Sequence, residues 1–306
     1  MADYKEISKR EAFKTNIANF IAKEEDILIN VLMNNLQDKS RTTIKSYLSH
    51  NQVLVDNQIT TKFDYPVKIG SKIVVGKFSI HEDFRHPKLR IIYEDDHLIV
   101  IDKKEGLLSI ASETEKRQTA YSILSSYVKK DHPQNKIFVI HRLDRDTSGL
   151  MMFAKDEKTQ SIMQKNWQEA IIKRQYVALV EGNVTPDKNT ITSWLKENKA
   201  LIVYSSDKPN DGKLAITNYE KIRSNQQYSL LKVSLDTGRK NQIRVHMQSI
   251  KHPIVGDKKY GSLINPIRRM GLHAQTLAFS HPYTKKDMFF ESPIPKTFFM
   301  VFKGND

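Results

Sequence analysis

Cysteine is absent from all 306 residues. That excludes disulfides and thiolate-bound metals and suits a reducing compartment. The ten histidines show no HExxH or comparable spacing, so no metal centre is expected, and no GxxxxGK[ST] phosphate loop is present. No apolar run approaches the length of a membrane span. Met1 to Lys14 is polar and charged without the apolar segment of a signal peptide, and a cytoplasmic location with no membrane partner is expected. Internal repeats and low-complexity tracts are missing too.

Negative charge is in short supply. Lys and Arg number 49 against 35 Asp and Glu, a formal net charge of +14. The ratio is 15 to 11 in residues 1–90 and 34 to 24 thereafter, so the excess belongs to the whole chain. It suits a polyanion such as nucleic acid, although lysine-rich surfaces also serve solubility alone. The length allows one large domain and one small one, with a sizeable core.

The stretch with the densest chemistry is His141-Arg142-Leu143-Asp144-Arg145-Asp146-Thr147-Ser148-Gly149-Leu150. It joins a strand-like run, 137–140, to a second apolar run ending at Ala154. A plain connector needs Gly, Asn, Asp or Pro for its backbone angles, whereas this one adds two arginines and a histidine. Polar groups at strand ends on a rigid core are where sites tend to be built.

Along the chain, residues 1–19 read as a polar lead-in. Ile27, Leu28, Val31, Leu32 and Leu36 recur at helical spacing behind the acidic residues 24–26, and Ser40 caps a second short helix with Ile44, Tyr47 and Leu48 on one face. Val53 to Val55, a turn at Asp56-Asn57 and a strand near 72–75 follow. Residues 81–90 read as a linker, and 91–103 as a hairpin around an acidic turn. A helix is expected over 120–128. Asp156 caps another that presents Met163, Trp167 and Ile171 to the core. Residues 173–182 form a strand with a basic start, 185–212 a polar loop region, and 214–222 and 228–235 two more strands. A turn at Thr237-Gly238-Arg239 then leads into a helix carrying Arg244.

The central stretch resembles the HRLDxxTSGL signature of the RluA-type pseudouridine synthases, complete over its ten positions. The hairpin at 91–103, Thr237-Gly238-Arg239-Lys240-Asn241-Gln242-Ile243-Arg244, and the late words His252-Pro253 and Leu272-His273-Ala274 resemble further motifs of that family in the same order. Two departures stand out. Where the family carries Lys-Pro ahead of a glycine this chain has Lys104-Glu105-Gly106-Leu107, and Asn241 replaces a usual histidine, keeping a hydrogen-bonding side chain but not a titratable one. Residues 20–75 resemble the S4 RNA-binding module, through Ser40-Arg41-Thr42-Thr43-Ile44-Lys45 and Val53-Leu54-Val55-Asp56-Asn57, with Ile27-Leu28-Ile29 where that module usually opens with Arg-Leu-Asp.

The resemblance implies an α+β fold: a mixed sheet with flanking helices over 91–306, behind a linker at 81–90, with a small α+β S4-like domain over 20–80. It implies isomerisation of uridine to pseudouridine in RNA, large-subunit (23S-type) ribosomal RNA ahead of tRNA, by a monomer without cofactor or metal. Asp144 would be the essential carboxylate, acting as nucleophile at C1′ or C6 or as base at C2′. Tyr176 would hold the uracil and Arg244 would pair with Asp144, while Arg142 fills the gap left by the extruded base. His141, Arg239, Arg41 and Lys45 would contact RNA. The competing readings are a catalytically silent RNA-binding factor of ribosome assembly and a hydrolase pairing Asp144 with Asp257, the latter at odds with the basic charge.

Overall fold

The structure, a computed structural model, describes residues 6–8, 16–77, 79–81, 84, 86–112, 115, 117–130 and 132–302. Most of the expected lead-in at 1–19 and part of the expected linker at 81–90 therefore lie outside the described residues. The chain divides into two units, Met1–Arg85 and His86–Asp306.

In the first unit, β1 (Asn16–Ile21), α1 (Leu28–Asn35), α2 (Arg41–Ser49), β2 (Val53–Val55), β3 (Gln58–Ile59) and β4 (Lys72–Gly76) follow one another. The sheet runs β1-β4-β2-β3, and the core lies between it and the inner faces of both helices, with Leu28, Leu32, Ile44, Leu48, Val53 and Ile73 buried. Ser40 caps α2 as its position predicts, accepting the Thr43 N–H at 3.1 Å. Asp56 and Asn57 both have positive φ, 48° and 68°, the backbone that a two-residue hairpin with matching twist demands. Strand β1 was not expected from its sequence. The acidic residues before α1 do not occupy its first turn; instead Asp26 accepts the Ile27 N–H and the Asn30 amide.

The second unit is built on an eleven-stranded sheet. Its elements are β5 (Leu89–Glu94), β6 (Leu98–Lys103), α3 (Ala120–Val128), β7 (Phe138–Val139), β8 (Ser148–Ala154), α4 (Glu157–Lys165), α5 (Trp167–Ala170), β9 (Ile171–Glu181), β10 (Lys188–Glu197), β11 (Val203–Ser206), β12 (Lys213–Ser224), β13 (Tyr228–Leu235), α6 (Gln242–Ser249), β14 (Leu272–Ser280) and β15 (Asp287–Glu291). The main path is β11-β10-β12-β13-β9-β14-β8-β6-β5, with β7 beside β8 and β15 beside β14. The pairings are antiparallel except β8 with β14, where Ser148 and Gly149 run parallel to His273 and Ala274. The sheet is therefore mixed, and with its flanking helices the fold is α+β.

Every residue of β8 is buried, because its apolar residues face packed layers on both sides; Leu150, Met152 and Ala154 share one core with Leu98, Val100, Met163 and Phe279. This rigid strand carries the loop that precedes it. Two sequence expectations fail here. The region 185–212 is not a loop but contains β10 and β11, hidden from pattern reading because β10 buries only Ser193 and Leu195. The helix capped by Asp156 (Thr159 N–H at 2.7 Å) ends at Lys165, so Trp167 begins a separate short turn of helix and Ile171 starts a strand.

Candidate active site

Asp144 sits in the loop between β7 and β8, and two buried side chains grip that loop by its backbone. Ser109 donates to the Leu143 carbonyl at 2.7 Å and accepts the Leu143 N–H at 3.1 Å. Lys103, fully buried, donates from Nζ to the carbonyls of Leu107 at 2.8 Å, Arg145 at 3.1 Å and Lys104 at 3.2 Å. Burial lowers the Lys103 pKa to about 8, against the opposing pull of Asp146, Asp144 and Glu105. The loop closes on Gly149, whose φ is +111°; a Cβ there would lie 2.1 Å from the Ala274 carbonyl oxygen. Only glycine lets β8 come so close to β14.

Beside the loop, Glu105 accepts from Arg269 Nη1 at 2.7 Å, and Arg269 Nη2 donates to Ser148 Oγ at 2.6 Å. Ser148 continues the chain of bonds to His273 Nδ1 at 2.8 Å. The glutamate in the departure from the Lys-Pro pattern is thus tied to the β8 end of the loop.

The cation comes from α6. Its turn is set by buried Gln242, whose Oε1 accepts the Thr237 hydroxyl and the Arg239 N–H, both at 2.9 Å. Asn241 caps the helix at φ 55°, a left-handed conformation that asparagine tolerates better than most residues. Its Nδ2 donates to the Tyr260 hydroxyl at 2.8 Å, and its Oδ1 accepts from Arg244 at 3.3 Å. Arg244 is gripped by Asp257, Nε to Oδ2 at 2.7 Å and Nη2 to Oδ1 at 2.8 Å, and lies with its guanidinium carbon 4.8 Å from the Tyr260 ring centroid. Its remaining edge donates through Nη1 to Asp144 Oδ2 at 3.0 Å. Burial works against the arginine charge, but the bonds and charges of Asp257, then Asp144, outweigh it and raise its pKa.

Asp144, Tyr176, Arg244, Arg142, His141 and Arg239 all line one cleft of about 1130 Å³ in the second unit. Tyr176 is a buried wall residue on β9, and Arg142 is exposed. His141 accepts the Met152 N–H through Nε2 at 3.1 Å, and burial, with the charge of Arg174, lowers its pKa to about 3, so it is neutral. Arg239 donates from Nε to the Leu214 carbonyl at 2.9 Å. Arg41 and Lys45 belong to the first unit, both exposed on α2. Trp167, expected in the core, is half-buried and lines the same cleft. Sequence reading missed the anchoring roles of Lys103 and Ser109 and the clamp made by Asp257. Among the described residues no group of His, Cys, Asp or Glu could hold a metal ion, and no helix is long and apolar enough to cross a membrane.

Residues 97–249 match the family model described as RNA pseudouridylate synthase. The chain is 31% identical to ribosomal large subunit pseudouridine synthase D of Salmonella typhimurium, over 85% of this chain and 84% of that one. It is 30% identical to the Bacillus subtilis (strain 168) protein called uncharacterized RNA pseudouridine synthase YhcT, over 84% of this chain and 86% of the relative. Among solved structures, human RNA pseudouridylate synthase domain containing 4 superposes with a TM-score of 0.56 at 20% identity, covering 68% of this chain and 89% of that one. At that identity the likeness concerns the fold.

Proposed function

The chain belongs to the RluA-type RNA pseudouridine synthases, isomerases of uridine in RNA, and we propose that Asp144 is the group on which its reaction turns. The observation that carries this is the state of the carboxylate. Oδ2 is held by an arginine that is itself locked, while Oδ1 has no hydrogen bond among the described residues. A carboxylate fixed by one oxygen and free at the other serves attack at C1′, attack at C6 and proton removal from C2′ alike. Any of these routes breaks the N1–C1′ bond, lets the uracil turn and joins C5 to C1′.

The other residues take roles that fit their surroundings. Arg244 orients and neutralises Asp144. Tyr176, walled in on β9, holds the uracil ring. A stacked uridine must leave its helix to reach Asp144, at roughly a few kcal/mol, and exposed Arg142, two residues before it, fills the gap with a planar guanidinium. His141 shapes the loop and, with Arg239, faces the RNA. The first unit acts as an S4-like RNA-binding module, with Arg41 and Lys45, one turn apart on α2, at the phosphates. Large-subunit ribosomal RNA is the substrate, in keeping with the name of the Salmonella relative.

Tritium release from RNA labelled at uracil C5 tests this, because that hydrogen leaves when C5 bonds to C1′. Unmodified ribosomal RNA should release tritium with the wild type. Asp144→Asn should lower the rate by at least about 10³-fold with RNA binding intact. Full activity in Asp144→Asn would remove the central assignment, and release from tRNA alone would reassign the substrate.

A further inference from the structure

Three arginines of the cleft, Arg142, Arg174 and Arg239, form no ion pair among the described residues, and of these Arg174 has a buried nitrogen without a hydrogen-bond partner. Arg174 precedes Tyr176 by two residues on β9, so the strand period turns both toward the same face, and both line the cleft. Its guanidinium carbon is 5.5 Å from the Trp167 ring centroid, and Trp167 leans on His141 with ring centroids 5.1 Å apart. On another side lies Gly238, where a Cβ would come within 3.1 Å of Nη1. The guanidinium thus lies near both an indole and bare backbone.

Its polar needs are not met there. Nε is buried without a hydrogen-bond partner, and no ion pair to Arg174 exists among the described residues. The two carboxylates lining the cleft are engaged elsewhere, Asp144 with Arg244 at 3.0 Å and Asp236 with the Asn218 amide at 3.0 Å. A guanidinium carries its donors in a planar fork, which suits two oxygens of one anion.

We propose that Arg174, beside Trp167 and Gly238, is a phosphodiester subsite that takes one backbone phosphate of the RNA close to the target uridine. The proposal rests on the reading of this cleft as the RNA site. It gives Trp167 and Gly238 positioning roles: the indole flanks the guanidinium and the glycine leaves room for it.

The test measures binding of unmodified large-subunit ribosomal RNA transcripts across a salt series, with tritium release followed on the same samples. Arg174→Gln should lower the slope of log affinity against log salt by about 0.7–0.9, the loss of one phosphate contact. It should raise KM several-fold with kcat nearly unchanged, and Arg174→Lys should recover part of both. Lys173→Gln removes an equal charge from an exposed neighbour outside the cleft lining and should leave the slope as it is. An unchanged slope in Arg174→Gln, an equal fall in Lys173→Gln, or a loss confined to kcat would overturn the assignment. Failure of the isomerase reading looks different: wild type would bind RNA with a normal slope yet release no tritium, and the slope comparison would still decide the role of Arg174.

Discussion

Arg244 and Asp257 meet fork to fork, with two parallel bonds of 2.7 and 2.8 Å, and Asp257 is only 3% exposed. The pair leaves Arg244 one free edge, which is the edge Asp144 uses. Asp257 therefore fixes where the cation points.

Removing one partner of a buried pair is costly because the other charge is stranded. Asp257→Asn is expected to lower unfolding free energy by about 3 kcal/mol, read from the denaturant midpoint. Arg244→Lys cannot serve both carboxylates, since an ammonium lacks the planar fork. Its kcat should fall by roughly 10²-fold while RNA affinity holds. Equal losses in kcat and affinity would mean that Arg244 acts in binding instead.

Lys103 gives a pH signature. Its folded pKa of about 8 lies below the 10.5 of an ordinary lysine, so between those values the unfolded chain binds the proton and the native state does not. Stability attributable to this group therefore rises with pH through that window and is lowest below pH 8. The unfolding free energy of wild type minus that of Lys103→Met should grow by on the order of 3 kcal/mol from pH 8 to 10.5. A flat difference in paired denaturation curves would show that the amine is not buried as described.

Gly149→Ala places a methyl group on the Ala274 backbone and forces a non-glycine residue to φ +111°. The parallel contact of β8 with β14 must open, at a cost of at least about 2 kcal/mol. A lowered urea midpoint with loss of turnover is the expected result. A variant that melts like wild type would contradict the close approach.

Asn241 separates two roles. Asn241→Gly keeps the left-handed backbone but loses the bonds to Tyr260 and Arg244, whereas Asn241→Ala also strains the helix start. Turnover should fall in both, and the thermal midpoint should fall further in the alanine variant, by about 1 kcal/mol in stability. Equal midpoints would remove the backbone argument.

What the sequence disclosed, and what it hid, follows range. Ser40, Asp156 and the Asp56-Asn57 turn were legible because each satisfies partners within three residues or through its own backbone angles. The cleft wall at Tyr176 and the loop at Asp144 were legible as motifs. Lys103 was not, since the carbonyls that justify a buried lysine come from Lys104, Leu107 and Arg145 and converge only after folding. Trp167 kept helical spacing with Met163 although the helix stops between them. Strands β10 and β11 carry too few buried residues for alternation to be seen.

The separation of these charged groups along the chain, Asp144, Arg244 and Asp257, also times the assembly of their cluster. Asp144 precedes Arg244 by 100 residues, and Arg244 precedes Asp257 by 13. During synthesis at about 5–20 residues per second, the Asp144 carboxylate leaves the ribosome on the order of ten seconds before the arginine that pairs with it and the aspartate that holds that arginine. A nascent chain that has already completed its first unit therefore still lacks the Asp144–Arg244 pair, which forms only when the C-terminal half has joined the sheet.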